Sequence, residues 1–422
     1  MLIIAIRIID ETSQNLYTET NYNLPMDKEV VMTQSTQNIA KSTQPRKPSP
    51  IKQHYRKKRR KATVFAVILV AIVLLIAGFM IYSILFAKPT EKSNVSGIST
   101  EEVYDKIDVP IEITTPEPEI SFTVSVVGDC TLGTDEHFNY ARSLNAYYEK
   151  HGPAYFLKNV KSIFEADDLT IANLEGTFTD STSRVDKTYA FKGPKEFVNI
   201  LTNGSVEAVT LANNHSRDYG TKSLSDTKAT LDSAGVIHFG YEETSVVDVK
   251  GVKVGLIGIY ELIDHTGRAK QVKEHIAKVK SEGAEVIIVI FHWGIERDAA
   301  PNSHQTMLAR LAIDEGADLV CGHHPHVLQG IEVYKGKNIV YSLGNFCFGG
   351  NSNPSDKDTM IFQQTFTLTK DGLKEDNVTN VIPCSLSSEK NRNNYQPTPA
   401  TGDEAARILK KIEDRSALIP KP

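Results

Sequence analysis

The chain has 422 residues, enough for one or two domains with sizeable cores, and its formal net charge of −5 is unevenly distributed. Residues 1–87 carry 12 Lys and Arg against 5 Asp and Glu, whereas residues 88–422 carry 35 against 47. Because nucleic-acid binding requires a positive face on the folded part, the acidic main region argues against that class of function.

The N-terminal segment, residues 1–61, is basic and rich in Thr, Gln, Asn, Ser and Pro. Such a composition buries too little apolar surface to offset the entropy of folding, so we predict a disordered tail. Met1 and Met26 are both plausible first residues, and the sequence alone does not choose between them.

Residues 62–87 contain no charged side chain. As a helix rising about 1.5 Å per residue, this segment is longer than the roughly 30 Å apolar core of a bilayer. Six consecutive basic residues, 56–61, precede it, and only Lys88 follows closely. This pattern predicts one uncleaved transmembrane helix with a cytoplasmic N-terminus and an extracellular C-terminal region. A buried core helix and a cleaved signal peptide are the alternatives, but Leu85 stands where a signal peptide has a small residue.

Residues 88–120 contain acidic residues and prolines and predict an extended extracellular linker. From residue 121 onward, apolar runs alternate with helical patterns, which predicts an α/β domain over residues 121–385. The remaining residues, 386–422, form a C-terminal tail with a predicted helix at 403–418 that packs on the domain. The predicted strands are 122–127, 169–172, 206–211, 252–259, 286–291, 319–321 and 339–343; the predicted helices are 153–166, 194–202, 222–234, 268–281 and 304–315.

The four cysteines, Cys130, Cys321, Cys347 and Cys384, show no C-x-x-C spacing. We therefore interpret them as small buried residues rather than ligands of a structural zinc ion. An extracellular location would permit disulfide bonds between them.

Polar residues able to bind a metal recur where the predicted strands end. In open α/β sheets this is the edge at which active sites gather. An isolated strand-end Asp or Asn is usually a turn or cap residue, but six such ends in succession indicate one shared site. Carboxylate, amide and imidazole donors without thiolate favour Mn, Fe, Zn or Mg, and a dinuclear hydrolytic site uses this mixture. The motifs are Gly128-Asp129, Asn173-Leu174-Glu175, Asn213-Asn214-His215, His292-Trp293-Gly294-Ile295-Glu296, Gly322-His323-His324-Pro325-His326 and Ser342-Leu343-Gly344-Asn345-Phe346.

These motifs resemble, in the same order and over about residues 121–385, the signature set of the CapA/PgsA capsule-biosynthesis family. That family is linked to poly-γ-glutamate synthesis and export and belongs to the calcineurin-like metallophosphoesterase superfamily. The resemblance implies a four-layer α/β/β/α sandwich with a divalent, dinuclear metal centre. As partners it implies the cell membrane, an anionic envelope polymer such as poly-γ-glutamate, and a polymer-synthesis complex, but no nucleic acid.

The resemblance also implies roles for individual residues. His215 is the expected catalytic proton donor, with an unperturbed pKa near 6.5. Asn173, Glu296 and Asn345 are expected to support the ligands or contact substrate, whereas His323 is expected to be a bystander. The expected metal ligands are Asp129, Glu175, Asn214, His292, His324 and His326.

Two departures from the superfamily pattern keep several functions open. The superfamily's opening D-x-H reads Asp129-Cys130-Thr131, so one imidazole is missing, and Ser216 stands where an acid normally follows the Asn-His pair. The first hypothesis is a metal-dependent hydrolase acting on an ester, amide or phosphoester of an envelope polymer. The second is a non-catalytic assembly or export subunit with a vestigial site, and the third is a surface phosphoesterase of unrelated substrate.

The predicted topology can be tested on wall-stripped cells. Protease added from outside should release a fragment of about the size of residues 88–422, because the basic run places that region outside the membrane. Full protection of this region in intact cells, with digestion only after lysis, would show the opposite orientation.

Overall fold

The computed structural model describes residues 119–421. The predicted tail, the predicted anchor at 62–87 and nearly all of the predicted linker lie outside these residues. Within 119–421, no helix is long and apolar enough to cross a membrane. The anchor therefore stays a prediction from the sequence.

Helices and strands alternate through the first two thirds of the described region, and strands dominate the last third. The described helices are α1 (Leu144–His151), α2 (Lys161–Phe164), α3 (Val198–Gly204), α4 (Gly220–Ala234), α5 (Ala269–Ser281), α6 (Ser303–Glu315) and α7 (Gly402–Ser416). The strands are β1 (Ile120–Thr131), β2 (Leu169–Leu174), β3 (Thr177–Phe178), β4 (Lys192–Gly193), β5 (Ala208–Thr210), β6 (Ile237–Phe239), β7 (Thr244–Val249), β8 (Val252–Tyr260), β9 (Val286–His292), β10 (Leu319–His323), β11 (Ile331–Tyr334), β12 (Lys337–Val340), β13 (Asn345–Phe348), β14 (Asp358–Thr369), β15 (Gly372–Leu373), β16 (Val378–Ser385) and β17 (Thr398–Pro399).

Two large sheets carry the fold. The first has the order β17-β16-β14-β1-β2-β5-β6, with β13 also pairing with β1 and β15 with β14. The second has the order β11-β12-β10-β9-β8-β7. In both sheets the central strands are parallel, whereas β14, β16 and β7 run antiparallel to their neighbours. The mixed α/β class predicted from the sequence is confirmed.

Three apolar cores separate the layers, because successive side chains of a strand point to opposite faces. Val126 of β1 and Leu256 of β8 belong to a core shared by the two sheets. Val127 packs with helices α1 to α4 on the outer face of the first sheet. Ile257 packs with α5 and α6 on the outer face of the second sheet. The layers therefore run helices, sheet, sheet, helices.

Several elements differ from the sequence-based predictions. The predicted helix at 153–166 is a 3-10 turn, Pro153–Tyr155, followed by the short α2, and the run at 339–343 ends as a strand at Val340. The antiparallel pair β14 and β16 was not predicted, because it has neither an intervening helix nor a polar motif at a strand end. All four cysteines lie in the described region, where they are buried and form no disulfide.

Helix α7 packs against the core between the sheets. Its Ile408 is fully buried in that core, whereas the neighbouring Leu409 is 43% exposed. Charged contacts add to the docking, since Arg407 donates to both carboxylate oxygens of Asp358 at 2.6 Å. The C-terminal segment thus contributes to the folded domain.

Truncation of Ile408 and of its neighbour Leu409 separates the effect of burial on stability from the effect of helix propensity. Ile408→Ala should lower the free energy of unfolding by about 2–5 kcal/mol, because it removes buried methyl groups and leaves a cavity. The matched control Leu409→Ala should change it by less than about 0.5 kcal/mol. Urea unfolding of both variants makes the comparison, and equal effects would show that α7 does not dock in this way.

Candidate metal centre

Glycines let the ends of β1 and β10 approach residues 341–344, the segment that connects β12 of the second sheet to β13 of the first. A Cβ atom on Gly128 would lie 2.1 Å from the carbonyl oxygen of Gly344, and one on Gly322 would lie 2.2 Å from that of Tyr341. Only glycine fits such approaches, and the first of them lets the Asp129 amide donate to the Gly344 carbonyl at 2.9 Å. The ends of β1 and β10 consequently lie beside the same connecting segment.

Asp129 lies at the centre of this edge and contacts both sheets. Its fully buried carboxylate accepts a hydrogen bond from the Asn173 amide at 2.8 Å. From the second sheet, Nδ1 of His323 and Nδ1 of His326 each lie 3.2 Å from its oxygens. Burial alone would raise the pKa of Asp129, but hydrogen bonds with these two histidines outweigh burial and hold it well below its usual range. The carboxylate is therefore ionised.

Glu175, the second buried carboxyl group, is poorly satisfied. Its Oε2 accepts from the Thr131 hydroxyl at 3.3 Å, but its Oε1 has no hydrogen-bond partner. The nearest imidazole nitrogens, Nε2 of His292 and Nε2 of His326, are 3.8 and 3.9 Å from Oε1. Burial raises the pKa of Glu175, and the charge of Asp129 adds to this effect.

Asn214 and His292 meet between the sheets. The Asn214 side-chain oxygen lies 2.8 Å from Nε2 of His292, and Nδ1 of His292 lies 3.3 Å from the Asn173 amide. Burial, reinforced by the neighbouring His324, lowers the pKa of His292 well below its usual range. His292 is thus a neutral imidazole, the form that binds metal ions.

His324 and His326 lie in a tight turn with backbone φ angles of 92° and 57°. Positive φ is costly for residues with side chains and is often found at functional sites.

Burial lowers the pKa of His324 to about 3, and its Nδ1 has no hydrogen-bond partner. Burial disfavours charge on His326 as well, but Glu175 and Asp129 raise its pKa. One donor atom each from Glu175, His324 and His326 lie within 4.8 Å of one another.

His215 lies beside this group and has its own acidic partner. Its Nδ1 is 2.7 Å from Asp218, whose other oxygen accepts from Lys187 at 2.8 Å. The expectation of an ordinary pKa near 6.5 does not hold, because burial lowers the pKa of His215 and the Asp218 hydrogen bond compensates only partly. His215 is therefore neutral near neutral pH, with Nδ1 engaged and Nε2 left for proton exchange.

A cavity of about 480 Å³ opens beside the group. His326 and His215 reach its wall. Asn345 Oδ1 accepts a hydrogen bond from Nδ1 of His326 at 2.9 Å, and the Asn345 amide donates to the His326 carbonyl. Glu296 is exposed at the cavity wall. Trp293 is fully buried and stacks on Phe291 at 4.3 Å, so it is a core residue and not a platform for substrate.

Sequence reasoning missed three residues. His323, expected to be a bystander, is fully buried against Asp129, because it pairs with His292 across neighbouring strands and shares its face. Asp218, which is not among the predicted site residues, is buried and orients His215. Asn213 donates to the Asn173 side chain at 2.9 Å. The Asn-Asn-His-x-x-Asp spacing was the available signal for Asp218.

The described residues fit a divalent metal. Glu175 Oε1 and His324 Nδ1 are buried polar atoms without hydrogen-bond partners, and such atoms are costly unless a ligand satisfies them. The donors are carboxylate and amide oxygens and imidazole nitrogens. Burial raises the pKa of the Cys130 thiol to about 12, so the thiol is protonated in the metal-free protein.

Comparison with known proteins gives the same family as the motifs. The family described as bacterial capsule synthesis protein PGA_cap matches residues 123–350. The PGA biosynthesis protein CapA of Bacillus subtilis is 33% identical over 250 residues, which cover 54% of this chain and 63% of that protein. The capsule biosynthesis protein CapA of Bacillus anthracis is 29% identical over 275 residues, covering 59% of this chain and 62% of that protein.

A probable polyglutamine synthesis accessory protein of Mycobacterium tuberculosis is 29% identical over 211 residues, which cover 43% of this chain and 55% of that protein. The match therefore spans less than two thirds of the length of each of these relatives. Since the family covers more than half of the present chain, in the region that carries the strand-end motifs, the chain belongs to the PGA_cap family of bacterial capsule synthesis proteins, the CapA/PgsA family.

Proposed function

We propose that this protein acts in capsule or poly-γ-glutamate biosynthesis or export as a membrane-anchored, extracellular, metal-dependent hydrolase. Family membership and the two Bacillus relatives, a PGA and a capsule biosynthesis protein, support the polymer. The uncharged segment at 62–87 and the basic run before it support the anchor and its orientation. The order of helix and sheet layers supports a sandwich of metallophosphoesterase type.

The observation that carries the proposed chemistry is the unpartnered Glu175 Oε1, buried within 4.8 Å of a donor nitrogen from each of His324 and His326. Asp129, Asn214 and His292 would complete the ligands of a divalent, dinuclear centre of Mn, Fe, Zn or Mg. When bound, such a centre polarises the scissile ester, amide or phosphoester and lowers the pKa of water.

The protein's own residues would bind the polymer and move the proton. Arg142 and Arg297 line the cavity and supply positive charge for an anionic chain, which the acidic main region would otherwise repel. Asp218 holds Nδ1 of His215, so that Nε2 exchanges the proton with the leaving group or with water. Lys187 fixes this pair by donating to Asp218 and to the Asn214 carbonyl.

A second candidate, a non-catalytic assembly or export subunit, is favoured by one observation. The position at which the superfamily has an imidazole holds Thr131, whose hydroxyl contacts Glu175 instead of adding a nitrogen ligand. Fewer ligands would weaken one of the two metal positions. This candidate predicts polymer production that requires the protein but not His215.

Measurements of metal binding by variants distinguish the residues that bind the metal from other residues that line the cavity. His324→Ala should weaken binding of Mn²⁺ or Zn²⁺ by at least about 100-fold, since even residues behind the ligands cost 10–100-fold. His137→Ala is the matched control, because His137 lines the same cavity but is 70% exposed. Metal content after equilibrium dialysis gives the readout. Equal metal in the wild type and His324→Ala would refute the site.

The catalytic assignment is tested by turnover on poly-γ-glutamate and on a chromogenic phosphate ester. His215→Ala should lower the rate by about 10²–10⁴-fold with the fold and bound metal intact. Asp218→Asn should cost about 10–100-fold, as expected for loss of an orienting partner. Unchanged turnover and polymer production in His215→Ala would make His215 structural and favour the assembly role.

A further inference from the structure

A second group of side chains able to bind a metal lies outside the strand-end centre, as we name the candidate metal centre around Asp129 and Glu175. Glu261 directly follows β8, and its side chain is only 1% exposed. Nδ1 of His265 lies 2.8 Å and Nδ1 of His304 lies 3.6 Å from the same Glu261 oxygen. One donor atom from each of the three residues lies within 4.8 Å of the others.

Local structure holds the three residues together. The His265 amide donates to the Glu261 carbonyl at 2.9 Å, which closes a turn in which His265 has a positive φ of 46°. His304 is the second residue of α6, whose start is fixed by reciprocal hydrogen bonds between Asn302 and Gln305. The two imidazole rings are 4.8 Å apart between centroids. The group is thus formed by two elements that converge, not by one flexible loop.

The chemistry of the group suits a metal ion better than an ordinary ion pair. A carboxylate removed from water requires strong compensation, and within the described region the Glu261 carboxylate has these two imidazoles as its polar contacts. Two imidazoles and one carboxylate form a donor set typical of zinc and related divalent transition metals. The His265 and His304 side chains are 51% and 41% exposed, which leaves an entry path and open coordination positions.

We propose that Glu261, His265 and His304 bind one divalent transition-metal ion, of the zinc class, at a site separate from the Asp129 and Glu175 centre. The ion would tie the turn after β8 to the start of α6. Because the Glu261 amide donates to the His292 carbonyl at 3.0 Å, this tie lies directly beside the strand end that carries His292. The bound ion would therefore help to hold His292, which the second sheet contributes to the strand-end centre, in position.

The test uses the full-length protein in detergent with the strand-end centre disabled by His324→Ala and His326→Ala. After chelator treatment, this background should bind one equivalent of Zn²⁺, and Co²⁺ used as a probe should show visible absorption typical of imidazole and carboxylate ligands. Adding His304→Ala should weaken this binding at least 10-fold, and adding both His265→Ala and His304→Ala should abolish it.

His151→Ala in the same background is the matched control, because His151 is exposed, and its ring stacks on Tyr155 and contacts Tyr147. It should leave the stoichiometry and the cobalt spectrum unchanged. Circular dichroism of the metal-free variants confirms that each is folded, and Glu261→Gln, which keeps the size of the side chain, provides a second route to loss of binding. A folded background that binds no Zn²⁺ at micromolar concentration, or binding that survives removal of both histidines, would overturn the proposal.

Discussion

The structure depends on the burial of two carboxyl groups, Asp129 and Glu175, at the edge where the two sheets meet. Asp129 is compensated by Asn173 from its own sheet and by His323 and His326 from the other, so its charge links the two halves of the sandwich. Glu175 has no comparable partner for Oε1. The charge of Asp129 raises the pKa of Glu175, and a divalent cation bound between them would let both carboxyl groups ionise.

Much of the site could be predicted because its residues follow strands. Parallel strands of one sheet place their carboxyl ends at one edge, so Asp129 and Asn214 had to lie at the same edge once the strands were recognised. That His292 of the second sheet meets Asn214 depends on how the two sheets pack. The antiparallel β14 and β16 gave no such signal. The role of His323 depends on its register partner, His292, and the meeting of His265 with His304 depends on how α6 packs. Such pairings depend on tertiary packing and produce no recognisable spacing of residues in the sequence.

The two residues after Asp129 have defined contacts in the structure. Cys130 is a buried thiol, and the Thr131 hydroxyl contacts Glu175, so Asp129 is the one carboxylate or imidazole that β1 contributes to this edge. His323 adds a buried imidazole against Asp129 from the opposite sheet.

The central claim is that metal ions lie between Asp129, Glu175 and the strand-end histidines. Diffraction data collected at the manganese absorption edge, from crystals of the protein grown with Mn²⁺, test it most directly. The account predicts an anomalous peak about 2.0–2.3 Å from Glu175 Oε1 and from a nitrogen of His324 or His326. An ordered Glu175 whose Oε1 is hydrogen-bonded to protein or water, with no anomalous peak beside it, would contradict the account.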